Sequence, residues 1–268
     1  MRLGVALGQS GCLADPASVR SAAAGAEQVG YSSLWVVDRL SDPCAVIDPI
    51  TALAYAAAVT DRVRLGTSVL VAPWYQPVLL TRSLASLDLL SDGRLTIGLG
   101  LGSSPEEYKA VGVPHAERGR RLEEALDVLD AAWAAAPDPR SRPPVLLAGT
   151  SDPSLDRVAR RADGWNPQGV PVARLGPLWT TVRTLAAGHG RDPDGLELVV
   201  RANVTLTDRP LPDGRPSYHG TVDQVADDLD ATRRAGAHEV ILGLDGEHGL
   251  NEVLEYFAVL AEATDLTS

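Results

Sequence analysis

The chain has 268 residues, of which 45% are hydrophobic and 22% charged, and its formal net charge is −11. That length suits one α/β domain spanning 1–268 with a full core, since α/β barrels run to about 250 residues as a single unit. The acidic balance argues against nucleic-acid binding, which needs a basic surface, and any anionic ligand needs a local site that overrides the global field.

Ala, Leu and Val dominate, with one Met and one Phe, so the core is aliphatic. Cys12 and Cys44 are the only cysteines and follow no metal-ligand spacing. Reduced thiols in a cytoplasmic protein are expected. The chain enters an apolar run at once, so no leader is expected. No run of about 18 apolar residues occurs, so no membrane span is expected.

Leu3–Gly8 reads as a first strand, and Pro16–Val29 as a helix with Asp15 as N-cap and Pro16 at its first position. Ser33–Val37 is a strand. Asp48-Pro49 repeats the Asp-Pro helix start before Ile50–Val59. Val63–Val71 is a strand, and Pro77–Leu90 a helix that stops at the turn Ser91-Asp92-Gly93. Leu95–Leu99 is a strand, followed by the short helix Glu106–Val111 and the long one Ala116–Ala135, where Leu122, Leu126 and Leu129 stand at helical spacing. Pro144–Ala148 is a strand and Pro153–Ala162 a helix; Ala162–Asn166 is strand-like and Val172–Ala187 helical. Leu196–Leu206 is β-rich, Thr221–Ala235 an amphipathic helix ended by Gly236, His238–Leu242 a strand and Leu250–Ala263 a helix. Eight continuous apolar strands alternating with helices predict a parallel α/β sheet, closed as a (β/α)8 TIM barrel at this length.

In such a barrel, function sits at the C-terminal strand ends. In order these are Gly8-Gln9, Asp38-Arg39, Ser68-Val69, Gly102-Ser103, Gly149-Thr150-Ser151, Asn166, Asn203 and Gly243. Turns are polar in any case, which explains most of that series. It explains less well a serine inside Leu65-Gly-Thr-Ser-Val-Leu-Val71. Gly98, Gly100 and Gly102 remove side chains where a strand becomes a loop, so a ligand or a neighbouring backbone can come close. Ala148-Gly-Thr-Ser-Asp-Pro153 reads either as a phosphate cradle at a helix N-terminus or as a plain N-cap by Ser151 or Asp152. The histidines 115, 189, 219, 238 and 248 stand at no metal spacing, so no metal site is expected. No Gly-x-Ser-x-Gly elbow and no Gly-x-Gly-x-x-Gly fingerprint occur.

Taken together, Gly30-Tyr-Ser-Ser-Leu-Trp-Val-Val-Asp38, Val63-Arg-Leu-Gly-Thr-Ser-Val-Leu70, Leu87-Asp-Leu-Leu-Ser-Asp-Gly-Arg94, Gly98-Leu-Gly-Leu-Gly102, Glu117-Arg-Gly-Arg-Arg-Leu-Glu-Glu124 and Ala162-Asp-Gly-Trp-Asn166 resemble the bacterial luciferase-like family of flavin and deazaflavin oxidoreductases. The resemblance implies a (β/α)8 barrel, usually a homodimer, with the cofactor at the C-terminal rim. It puts a non-proline cis peptide that buttresses the ring at Ser68-Val69. It puts the cofactor phosphate at Gly149, Thr150 and Ser151, and the ring edge at Gly100, Gly102 and Ser103. Asp38 matches the acidic position of deazaflavin users, which usually continues with His where this chain has Arg39; the usual aromatic after the glycines is here Ser103.

The function this implies is hydride transfer between coenzyme F-420 and a small organic substrate. Asp38 is the candidate acid or base, or else a loop cap; Tyr75 and Gln9 are further polar contacts. Trp35, Trp74 and Trp165 either wall the pocket or fill the core, as large aromatics usually do. The alternatives are an FMN-dependent monooxygenase of the same family and a non-catalytic flavin- or deazaflavin-binding protein. Substrate choice falls to rim loops such as Ser41–Ile47 and Asp208–Ser217.

Overall fold

The structure, a computed structural model, describes residues 1–7, 15–40, 47–135, 142–244 and 250–263. Helix starts follow their caps. The Asp15 carboxylate accepts from the amides of Ala17 (2.8 Å) and Ser18 (3.0 Å) to open α1 (Pro16–Val29). Asp48 accepts from Thr51 N (2.8 Å) to open α2 (Pro49–Val59). Thr221 and Gln224 form a reciprocal capping box for α8 (Val222–Arg234). The remaining helices are α3 (Pro77–Leu90), α4 (Pro105–Ala110), α5 (Arg118–Ala134), α6 (Asp152–Arg161), α7 (Val172–Gly188) and α9 (Leu250–Ala263).

The described strands are β1 (Arg2–Leu7), β2 (Ser33–Val36), β3 (Arg64–Thr67), β4 (Leu70–Val71), β5 (Leu95–Gly100), β6 (Val145–Leu147), β7 (Gly164–Trp165), β8 (Glu197–Leu206), β9 (His219–Gly220) and β10 (Glu239–Leu244). All pair in parallel. β1, β2, β3, β5, β6, β7, β8 and β10 follow one another around a ring, closed where β10 pairs with both β8 and β1. This is the expected closed (β/α)8 barrel. Two strands depart from expectation. Val63–Val71 is not one strand: it breaks into β3 and β4 at a cis Ser68–Val69 peptide. Ala162–Asn166 contracts to two paired residues. β9, unseen in the sequence, pairs with the end of β8 through Thr205 and His219.

The outward strand faces meet the helices in one aliphatic cluster that joins Leu34, Leu65, Ile97 and Leu147 to Leu53, Leu84, Leu126 and Val158. The barrel interior is layered differently. At the N-terminal end, the fully buried Glu239 carboxylate accepts from Ser33, from Trp35 Nε1 (3.1 Å), from Arg2 Nε (3.2 Å) and from Arg64. Above it lies an apolar layer of Ala6, Trp35, Leu146, Val199 and Ile241. The indole of Trp35 occupies space that a Cβ at Gly66 would enter, 2.4 Å from the ring. Trp35 and Trp165 are therefore core residues. The third layer, next to the C-terminal rim, is polar.

Candidate active site

That third layer grows from the strand ends. Ser68 Oγ donates to Asn166 Oδ1 (2.8 Å), and Asn166 Nδ2 donates to the carbonyl of Val199 (2.7 Å). From β8, Arg201 donates to the Ser68 carbonyl. Arg201 stands two residues beyond the inward Val199 and is 2% exposed. The Ser68–Val69 peptide, at the place the resemblance gives, is thus held from two strands.

The next residue explains the glycines. A Cβ at Gly100 would lie 2.5 Å from Val69 Cγ2, and one at Gly98 only 1.9 Å from the Thr67 carbonyl. A Cβ at Gly102 would meet Val71 Cγ1 at 2.7 Å. Of the two readings open for this glycine series, the close neighbour is the β3–β4 segment itself.

Asp38 lies two residues past β2 and is 7% exposed. Its Oδ2 accepts from Val71 N (3.0 Å) and from the Tyr75 hydroxyl (2.9 Å). Burial pushes the carboxyl up to about 6, and the charges of Asp48 and Glu107 add to that, while the two hydrogen bonds pull the other way. Burial and the neighbouring Asp38 charge raise the Tyr75 phenol. The cap reading and the acid reading of Asp38 therefore coexist: it ties down β4, and its carboxyl titrates at about 6, above the ordinary carboxylate range.

Around the rim, Ala148 N donates to the Leu99 carbonyl (3.0 Å), and the Gly100 Cβ position lies 3.7 Å from Ala148 Cβ. Val69 and the Gly149-Thr150 turn therefore share one rim. Gly149 has φ +113°, and its carbonyl takes the Trp165 indole N–H at 2.8 Å. α6 begins at Asp152, yet the Ser151 side chain caps nothing; its Oγ instead shares a 2.9 Å hydrogen bond with Ser154 Oγ. Thr150, Ser151 and Asp152 are exposed. The start of α6 thus presents two hydroxyls beside the exposed Asp152 carboxylate; Pro153 has no N–H, and the Ser154 amide bonds the Ser151 carbonyl (2.8 Å).

Other positions are not gathered in. Ser103 is exposed on the rim loop, and the cap of α4 is Ser104, which accepts from Glu107 N (3.2 Å). Arg39 is exposed. Trp74 is half-buried against Tyr108, ring centroids 6.0 Å apart. Gln9, Cys12, Cys44 and most of the 41–47 loop lie outside the described residues. Among the described residues, no group of three His, Cys, Asp or Glu is placed to hold a metal, and no helix is long and apolar enough to cross a membrane.

Sequence reasoning missed Arg201, although a signal was present. Glu197, Val199, Arg201, Asn203 and Thr205 alternate with Leu198, Val200, Ala202 and Val204. A period of two with charges on one side marks a strand whose inner face enters a polar barrel layer.

A closed parallel barrel with its polar groups collected at the C-terminal rim has the architecture of the (β/α)8 enzymes. The model of the luciferase-like monooxygenase family matches residues 1–210, and the chain belongs to that family. It is 34% identical over 192 residues to an uncharacterised protein of Mycobacterium tuberculosis, covering 62% of this chain and 64% of that one. It is 30% identical over 210 residues to 4-hydroxyprotoasukamycin monooxygenase of Streptomyces nodosus subsp. asukaensis, covering 68% and 57%. The match therefore spans less than two thirds of the length of these relatives. In fold, it is similar to an F-420-dependent secondary alcohol dehydrogenase solved with an F-420–acetone adduct, at TM-score 0.80 and 16% identity over 98% of each chain. It is also similar to the oxygenating constituent of 3,6-diketocamphane monooxygenase of Pseudomonas putida solved with FMN, at TM-score 0.77 and 15% identity over 97% and 96%. The family is one of oxidoreductases and monooxygenases, and both F-420 and FMN occur among its structural neighbours.

Proposed function

We propose that the protein transfers a hydride between coenzyme F-420 and a small organic substrate. The observation that carries this reading is Asp38, a buried rim carboxyl whose pKa is raised to about 6. When bound, the deazaflavin supplies the carbon that gives or takes the hydride. Reduction of a carbonyl also needs a proton at oxygen, and Asp38, titrating at about 6, is a described rim group that exchanges one close to neutral pH. Tyr75, hydrogen-bonded to Asp38, orients the carboxyl.

The residues present fit a flat ring with an anionic tail. Gly149, Thr150, Ser151 and the start of α6 would take the phosphate. Ser68 and Val69 would back the ring. Gly100, Gly102 and Ser103 would border its edge, with Gln9 as a further polar contact. A second reading, an FMN-dependent monooxygenase, draws on the similarity to 4-hydroxyprotoasukamycin monooxygenase and on Arg39, which replaces the histidine usual in deazaflavin users. A homodimer is part of the same proposal, since α3 exposes Val78, Leu79, Leu89 and Leu90.

Spectral titration of the purified protein with F-420 and with FMN tests the order of the two readings. F-420 should bind and FMN should not displace it; tight FMN binding with oxygen uptake would reverse the order. Ser151→Asp tests the phosphate assignment. Aspartate at the N-cap position favours α6, so the fold should hold, while its charge should weaken cofactor binding by roughly tenfold or more. Unchanged affinity removes the assignment. Gly149→Asp is the poorer probe, because at φ +113° a side chain would strain the turn and its Cβ would lie 2.7 Å from Ser154.

A further inference from the structure

Glu107 stands in the first turn of α4, behind the cap residue Ser104. A glutamate at that place can reach back to the amide of the cap. Half of that arrangement is present, since Ser104 Oγ accepts from Glu107 N (3.2 Å). The Glu107 carboxylate makes a long-range contact: its Oε1 accepts from Leu40 N (3.0 Å), 67 positions earlier in the chain. Leu40 is not its only partner. The side chain therefore joins α4 to the segment that leaves β2.

α4 is itself anchored. Tyr108, the next residue, is fully buried, and its hydroxyl donates to the Leu101 carbonyl. Its ring meets Trp74 edge to face at 6.0 Å and His115 at 5.0 Å. Arg121 Nε donates to the Pro73 carbonyl (2.8 Å), which ties α5 to the same turn after β4. Glu107 thus rides on a backbone held to the tip of β5 and to that turn.

The segment it reaches carries Asp38. The Asp38 side chain is fastened to Val71 N and to the Tyr75 hydroxyl, and two residues on Leu40 N is fastened to Glu107. Leu40 is 50% exposed, so its side chain adds little packing to hold the stretch. For the hydrogen bond alone a neutral amide would serve, since it offers the same acceptor oxygen. Glu107 brings charge as well. It is half-buried, and its charge, with that of Asp48, opposes ionisation of Asp38. Asp48 accepts from Thr51 N and Thr51 Oγ1 (2.8 Å each), so its position is set by the α2 cap. The Tyr75 phenol faces Asp38 from the turn after β4, and Arg39 beside it is exposed.

We propose that Glu107 is a positioning residue for Asp38: it holds the 38–40 backbone with one oxygen and sets a second negative charge against that carboxyl. The inference rests on the oxidoreductase reading only for the use that turnover makes of Asp38. Two variants separate the two roles in the cofactor-free protein. Glu107→Gln keeps an oxygen for Leu40 N and removes the charge. Glu107→Asp keeps the charge and draws the oxygen back by one methylene; an acidic residue suits the first turn, so α4 should form. Asp38 is followed by carbon NMR of protein labelled at the aspartate carboxyl, its resonance assigned by its loss in Asp38→Asn. Leu40 is followed by amide hydrogen exchange. In Glu107→Gln the protonated fraction of Asp38 at about pH 6 should fall at least about twofold, while Leu40 exchange stays within about twofold of the parent. In Glu107→Asp, Leu40 exchange should rise about tenfold or more, with Asp38 titrating close to its parent midpoint. Glu106 is exposed on the same turn and accepts from Ser104 Oγ (3.1 Å). Glu106→Gln should move neither readout. An Asp38 titration unmoved by Glu107→Gln, a Leu40 amide still protected in Glu107→Asp, or an equal effect of Glu106→Gln overturns the assignment. The F-420 titration is a separate measurement, so failure of the cofactor reading is seen apart from these outcomes.

Discussion

Replacing Asp38 by asparagine isolates one buried carboxyl. In the folded chain its pKa is pushed up to about 6 from an ordinary 3.8, with burial the largest cause. Each unit of that difference is worth about 1.4 kcal/mol, which gives about 3 kcal/mol in all. The sign follows from proton binding. Between the unfolded and folded pKa values the folded chain holds more protons, so its stability falls as pH rises through that window. Below about pH 4 the contribution is fully present; above about pH 7 it is lost. Asparagine keeps an oxygen for the Val71 and Tyr75 donors and carries no charge at any pH. The variant should therefore be the more stable of the two at about pH 8, and the gap should shrink by up to about 3 kcal/mol on the way to about pH 4. Urea unfolding of both proteins across that range, followed by tryptophan fluorescence, measures the gap directly. Subtracting one protein from the other cancels the other titrating groups. A gap that does not change with pH would mean that Asp38 ionises in the fold as it does in water, and the proton donor of the proposed reaction would go with it.

Two further outcomes are expected. Glu239→Gln should cost about 3 kcal/mol, the lower end for breaking a buried pair, since its partners Arg2 and Arg64 are partly exposed. Cofactor titration should stay unchanged, because this network closes the opposite end of the barrel; loss of cofactor binding in a folded variant would refute the layered description. Leu89, 82% exposed on α3, should be the weak point of a dimer. Leu89→Glu should give monomers in sedimentation velocity, with stability changed by about 0.5 kcal/mol or less, whereas a parent protein already monomeric at micromolar concentration refutes the dimer.

Much of the barrel was readable because parallel strands buried on both faces leave long apolar runs, and because Asp15 and Asp48 announce their helices. The rim was readable in part. Asp38, Ser68 and the Gly149 turn stand where eight strand ends must lie. What hydropathy left unread was whatever depends on a backbone conformation or on an inward direction. The resemblance put the cis peptide at Ser68–Val69, where the structure has it, but nothing in the hydropathy of Val63–Val71 marks the break in that strand. The glycines at 98, 100 and 102 promised close approach without saying to what, and the answer was the Thr67 carbonyl, Val69 and Val71. β9 has two residues, too few for any periodicity to register.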